Sequence, residues 1–173
     1  MHLSLEHAKI HDLARIMEIM DACKGLLKKV DSSQWEGKDE PSTDEIKKEI
    51  LKENCYVLKF ESEIVGSSII HTDPIKAYEN IQYGVWDIID KSSEYASIHR
   101  FAIDPKRGGR GYGKLFLELI IVLLMNMGVN DIRIDTSPEN SYMQKVILYN
   151  GFSFKGIIRL DVEDGIRYAF QFN

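Results

Sequence analysis

The stretch Gly108-Gly109-Arg110-Gly111-Tyr112-Gly113 constrains this chain more than any other. It separates an apolar, strand-like segment, Ala96 to Ile103, from an apolar, helix-like one, Lys114 to Met127. A glycine-rich turn from strand to helix aims unpaired backbone N–H groups at one point, with the positive end of the helix dipole behind them. Glycine lets an anion reach the backbone where a side chain would hold it off. The turn therefore predicts a cradle for a phosphate-bearing ligand.

Two common owners of such a turn do not fit. Gly108 and Gly113-Lys114 have the spacing of a nucleotide-hydrolase loop, but Leu115 stands where a magnesium-binding Ser or Thr is required. A dinucleotide fingerprint needs a third glycine, and Gly111-Tyr112-Gly113 is followed by Lys114, Leu115 and Phe116. The stretch resembles instead the acyl-coenzyme A loop of the GNAT superfamily of N-acetyltransferases: Arg or Gln, two residues, Gly, one residue, Gly or Ala. Its glycines match Gly111 and Gly113, and Asp104-Pro105 looks like the usual lead-in. The family's Arg or Gln falls on Gly108, with arginines on either side at Arg107 and Arg110. Farther on, Asn140 through Gly151-Phe152 resembles the family's later motif, a short helix ending in Gly-Phe. The wording of residues 99–105, Arg133-Ile134-Asp135-Thr136 and Gly151-Phe152 is similar to a bacterial subgroup of mostly unassigned substrate.

Bulk properties leave room for this reading. The chain has 173 residues, a length suited to a single domain spanning 1–173. A net charge of −5 argues against a nucleic-acid partner. Cys23 and Cys55 lie far apart, which suggests neither a disulfide framework nor a zinc site. His7 and His11 have helical ligand spacing but no evident third ligand, so no metal is expected. Met1 to Ile10 lacks a signal-peptide core, and the run Leu115 to Met127 is too short for a bilayer. A reduced, cytoplasmic protein without a membrane partner is the expectation.

Along the chain, Leu3 to Lys9 reads as a strand, and Asp12 as the N-cap of a helix burying Leu13, Ile16, Met17, Met20, Cys23 and Leu27. Ser42 with Glu45 makes a capping-box signature for a second helix. Strands follow at 55–60 and 64–70. Asp73 to Tyr95 reads as a long loop with one strand near Tyr83 to Asp87. A strand covers 96–103, and a helix closes at Gly128. A strand at 131–136 precedes a helix that starts at Ser137-Pro138 and runs to about Tyr149. A hairpin of 152–160 and 166–172 ends the chain. The order is α/β, and it is also that of a GNAT fold, a mixed, mostly antiparallel central sheet flanked by helices.

The resemblance implies an acetyl-CoA-dependent N-acetyltransferase with no metal, acting on a primary amine of a small molecule or peptide. It places the pantetheine arm on the strand backbone of Phe101, Ala102 and Ile103. The pyrophosphate falls on Gly108, Gly109, Arg110, Gly111, Tyr112, Gly113 and Lys114, with Asn140 near the pantetheine. A non-catalytic acyl-CoA sensor is the alternative, because the catalytic positions are irregular. A strand glutamate of some relatives falls on Ser97, which leaves His99, two residues on, and Glu94 as candidate bases. The family's tyrosine acid falls on Ile147, with Tyr149 and Tyr142 as other candidates. Gln34-Trp35 and the segment 78–95, with Tyr83, Trp86, Tyr95 and the acids Glu79, Asp87, Asp90 and Glu94, are expected to face the acceptor. Aromatic faces with carboxylates suit a cationic amine. An exposed strand edge at the C-terminal hairpin leaves room for a homodimer.

Overall fold

Apolar residues three and four apart build each long helix, and one face of each goes to a central sheet. The computed structural model describes residues 2–89 and 94–172. The strands are β1 (Leu3–His7), β2 (Cys55–Phe60), β3 (Glu63–His71), β4 (Ala96–Ile103), β5 (Ile132–Thr136), β6 (Phe152–Arg159) and β7 (Ile166–Phe172). The helices are α1 (Leu13–Lys28), α2 (Thr43–Leu51), α3 (Lys76–Glu79), α4 (Tyr112–Asn126) and α5 (Ser141–Tyr149). The strands form one sheet in the order β1-β2-β3-β4-β5-β7-β6, mixed and mostly antiparallel as expected. On one face, Ile16, Ile19 and Met20 of α1 pack with Ile46 and Ile50 of α2 over Val57 and Ile69. On the other, Phe116, Leu117, Ile120 and Leu124 of α4 join Val146 and Ile147 of α5 over Leu58, Ile98 and Ile134.

The feature that positions the site is the parting of β4 from β5. These two strands are parallel and pair at only three positions, Ala96 with Ile132, Ser97 with Arg133 and Ile98 with Ile134. From His99 to Ile103, β4 continues without β5, and its backbone on that edge opens into the wedge between the strands. A bulge sharpens the divergence. Ser67 faces Ala102 and Ile69 faces His99, so Arg100 and Phe101 together oppose Ser68. Arg100 takes φ +50° there. The extra residue breaks the alternation of side chains, so His99 and Arg100 face the same side while Phe101 turns to stack on Phe116, ring centres 5.0 Å apart.

Several local expectations need correction. Ser42 does accept from the Glu45 N–H at 3.1 Å, but the Glu45 carboxylate goes to Arg100 rather than back to the cap. Asp12 caps a preceding 3-10 turn by accepting from the Lys9 N–H at 2.8 Å, with no side-chain bond into α1. The helix expected from Ser137-Pro138 starts at Ser141, because the Asn140 side chain caps it through the Met143 N–H at 3.1 Å. No strand forms over 83–87. Just before it the chain makes α3 and one bridge, in which Gln82 and Ile157 exchange backbone bonds of 2.8 Å. That bridge covers part of the β6 edge, so the edge is not freely exposed.

Candidate active site

The glycine turn has the geometry its sequence predicts. A 3-10 turn at Pro105–Arg107 leads into it, with Asp104 accepting from the Lys106 N–H at 2.9 Å. Gly109 and Gly111 take φ of +74° and +79°, where side chains are strained, and their Cα atoms face open space. Gly111 is the N-cap of α4. The first helical bond is made by the Leu115 N–H to the Gly111 carbonyl at 3.1 Å. Among the described residues, the N–H groups of residues 109 to 114 therefore have no protein acceptor. A row of orphan donors at a helix N-terminus fits a pyrophosphate. Arg107, beside the irregular Gly108, is paired with Glu63.

From this turn a cavity of about 680 Å³ runs along the wedge between β4 and β5. Gly108, Pro105, Phe101, Ala102 and Ile103 line its first part, with Asn140, Tyr142 and Met143 of the α5 start across from them. The Cys23 thiol also lines it and donates to the Ile103 carbonyl at 3.3 Å, so one of the strand acceptors is already taken. Burial pushes this thiol up to about 11, and Cys55 up to about 12. Neither is a thiolate nucleophile near neutrality.

The far part is polar and charged. His99, Arg100, Asp135, Asp39, Glu45, His71 and Arg167 line it, with Trp35 along the wall. Arg100 forks onto Glu45 at 3.1 and 3.3 Å and onto Asp39 at 3.2 Å. Arg167, only 2% exposed, donates to Asp39 at 2.9 Å and to the carbonyls of Asp164 and Ile166. His71 bonds Glu49 at 2.9 Å. The Tyr78 hydroxyl, wholly buried, donates to Asp135 at 2.8 Å. Burial pushes Asp135 up to about 6, helped by Asp39 and opposed by the Tyr78 bond, Arg167 and Arg100. His99 shares a 2.8 Å bond with Ser97. Burial, with His71 and Arg100 nearby, drives its pKa down to about 3. The imidazole is thus neutral throughout the physiological range and a much weaker base than its ordinary value implies.

The expected catalytic residues therefore separate. His99 lies in the cavity at the point where the strands part. Tyr149 does not: it is 66% exposed, with the Lys114 ammonium 3.6 Å from its ring centre. Glu94 is exposed and outside the lining. Asn140 reaches the cavity, but its carbonyl oxygen caps α5 and its amide donates to Gln34 at 3.1 Å, as a structural cap does. Gln34 is a latch between the α1–α2 segment and the start of α5. In the segment 78–95, the rings of Trp86 and Tyr95 hold the guanidinium of Arg133 at 4.5 and 4.0 Å. Those faces serve the protein's own cation, and Asp87 pairs with Lys155. Tyr83 is 86% exposed, and Asp90 lies outside the described residues. Sequence reasoning gave no site role to Asp135, Asp39 or Arg167, and held Tyr78 only as the start of the segment 78–95. The signal was faint, because Asp135 alternates with Ile132, Ile134 and Thr136 along β5 as a solvent-side residue would, and Arg167 stands next to the start of β7. Among the described residues, no group of three or more His, Cys, Asp or Glu is placed to hold a metal ion, and no helix is long and apolar enough to cross a membrane.

Known proteins share this fold. A family model described as the acetyltransferase (GNAT) family matches residues 14–152. No curated protein matches the sequence significantly. Among solved structures, a GNAT-family acetyltransferase from Streptococcus agalactiae superposes with a TM-score of 0.87 at 25% identity, covering 98% of this chain and 94% of its own. One from Listeria monocytogenes gives 0.72 at 22% identity, over 98% and 93%. The PaiA N-acetyltransferase of Thermoplasma acidophilum, solved with coenzyme A, gives 0.70 at 15% identity, over 100% and 99%. The latter two, below 25% identity, speak for the fold alone.

Proposed function

Because the chain belongs to the acetyltransferase (GNAT) family, we propose that it transfers the acetyl group of acetyl-CoA to a primary amine of a small molecule or peptide, by direct attack with both substrates bound. The observation that carries this is the continuity of the orphan N–H row at residues 109 to 114 with the cavity along the unpaired edge of β4. The amides of that row hold the pyrophosphate, and the backbone of Phe101 to Ile103 holds the pantetheine arm, with Ile103 contributing less than Phe101 because Cys23 occupies its carbonyl. Bound there, acetyl-CoA would supply the thioester carbonyl as electrophile to the cavity that His99 and Asp135 also line. The high pKa values of Cys23 and Cys55 favour direct transfer over a covalent enzyme intermediate.

The test has two readouts. Acetyl-CoA at a hundredfold excess over its Kd should stabilise the fold by about 2.7 kcal/mol, seen as a rise in Tm. Thiol release should then depend on an added primary amine. Gly111→Val forces a β-branched residue into φ +79° at the cradle and should abolish the Tm rise. A Tm rise without amine-dependent thiol release would show an acyl-CoA binder rather than a transferase.

A further inference from the structure

Four carboxylates line the cavity: Asp39, Glu45, Asp104 and Asp135. Three have an arginine. Asp39 holds Arg100 and Arg167, Glu45 holds Arg100, and Asp104 holds Arg15. Among the described residues Asp135 makes no ion pair, and its one side-chain bond is from the neutral Tyr78 hydroxyl. It sits on β5 one residue past the last pair with β4, at the apex of the wedge and on the same face as His99. We propose that Asp135 receives the acceptor's ammonium group and takes a proton from it, with Tyr78 fixing one carboxylate oxygen. This rests on the transferase reading above and names the acceptor as a cation.

The alternatives within the cavity are weaker. His99 is tied to the buried Ser97 hydroxyl, with His71 5.3 Å away between ring centres and Arg100 next in sequence, so a proton on its ring is disfavoured from both sides. Asp39 and Glu45 are engaged by guanidinium forks. The groups facing Asp135 are Tyr78 from α3, Asp39 from the α1–α2 segment, Arg100 from β4 and Arg167 from β7, with Tyr95 and Arg133 acting through Tyr78. Desolvation works on both partners: it raises the carboxylate, and it lowers the pKa of an ammonium that enters the same cavity. The two values approach each other, which is what proton transfer requires. The ammonium loses one proton to Asp135, and its lone pair attacks the thioester carbonyl. The C–N bond forms and the C–S bond breaks, a second proton passes to the departing sulfur, and the third stays on the amide. Asp135 then returns its proton to solvent.

The experiment is the pH profile of kcat/KM for amine-dependent thiol release, using the best acceptor from a panel of primary amines. The wild type should lose activity below an acid limb near pH 6. Asp135→Asn should bind acetyl-CoA with unchanged affinity and lose at least a hundredfold in kcat, without that limb. Tyr78→Phe removes a bond that lowers the carboxyl's pKa, so its limb should move to higher pH, a change that a purely structural tyrosine would not cause. If Asp135→Asn keeps kcat within threefold, or if His99→Gln rather than Asp135→Asn removes the limb, the assignment to Asp135 is overturned while the transferase reading stands. If the wild type binds acetyl-CoA but no amine accelerates thiol release, both are overturned.

Discussion

Asp135 shows how a single residue can cost stability where it serves chemistry. Its carboxyl has a folded pKa of about 6 against an ordinary 3.8. Between those values the native state binds more protons than the unfolded chain, so stability falls as pH rises through the window. Above pH 6 the deficit is complete. Asparagine keeps the oxygen that Tyr78 needs and removes the ionisation. Asp135→Asn should therefore unfold at a higher temperature than wild type at pH 7.5, by an increment of order 1–3 kcal/mol, and show no gain at pH 3.5. Thermal melts at the two pH values check this; an equal effect at both would mean that the carboxyl is not perturbed. Asp104 behaves oppositely. Burial pushes it up, but the Lys106 N–H and Arg15 outweigh that and hold it below the usual carboxylate range.

Between elements, the bulge in β4 does the most. By setting His99 and Arg100 on one face, it lets one arginine tie α2, through Glu45, and the α1–α2 segment, through Asp39, to the strand that edges the wedge. Arg100→Ala leaves Glu45 without its arginine and Asp39 with Arg167 alone beside a half-buried gap, and should cost roughly 1–3 kcal/mol. Lysine should rescue little of this, since it lacks the fork. A shift in urea midpoint at constant slope is the measurement; a change under 0.5 kcal/mol would remove the arginine from this role. This level also divides what could be read in the sequence from what could not. The αL glycine at 111, the serine cap at 42 and the glycine after α4 are backbone requirements met within a few residues, so they show in the letters. The bulge exists only relative to β3, and Asp135 becomes a cavity group only through Tyr78, 57 positions away in the chain. Pro138 misled for a related reason. It is a sound first helical residue, but Asn140 supplies a side-chain cap and wins by starting the helix later.

At the level of the molecule, the sheet is two blades joined by three parallel pairs. Helices α1 and α2 cover β1 to β4 on the face where α3 and Tyr95 cover β6 and β7, and the cavity is the gap between those coverings. A large site can therefore exist without a hole in either core. The chain has two tryptophans, and they fall on different sides of this division. Trp35 walls the cavity and is 6% exposed, whereas Trp86 is stacked on Arg133 and donates its indole N–H to the Tyr78 carbonyl, outside the lining. Acetyl-CoA should change the emission of Trp35 alone. Trp86→Phe should keep the ligand-induced signal and Trp35→Phe should silence it; the reverse would place the ligand on the α3 side. The wall of the cavity is thus a built-in optical gauge, able to report filling without a label and before any acceptor is known.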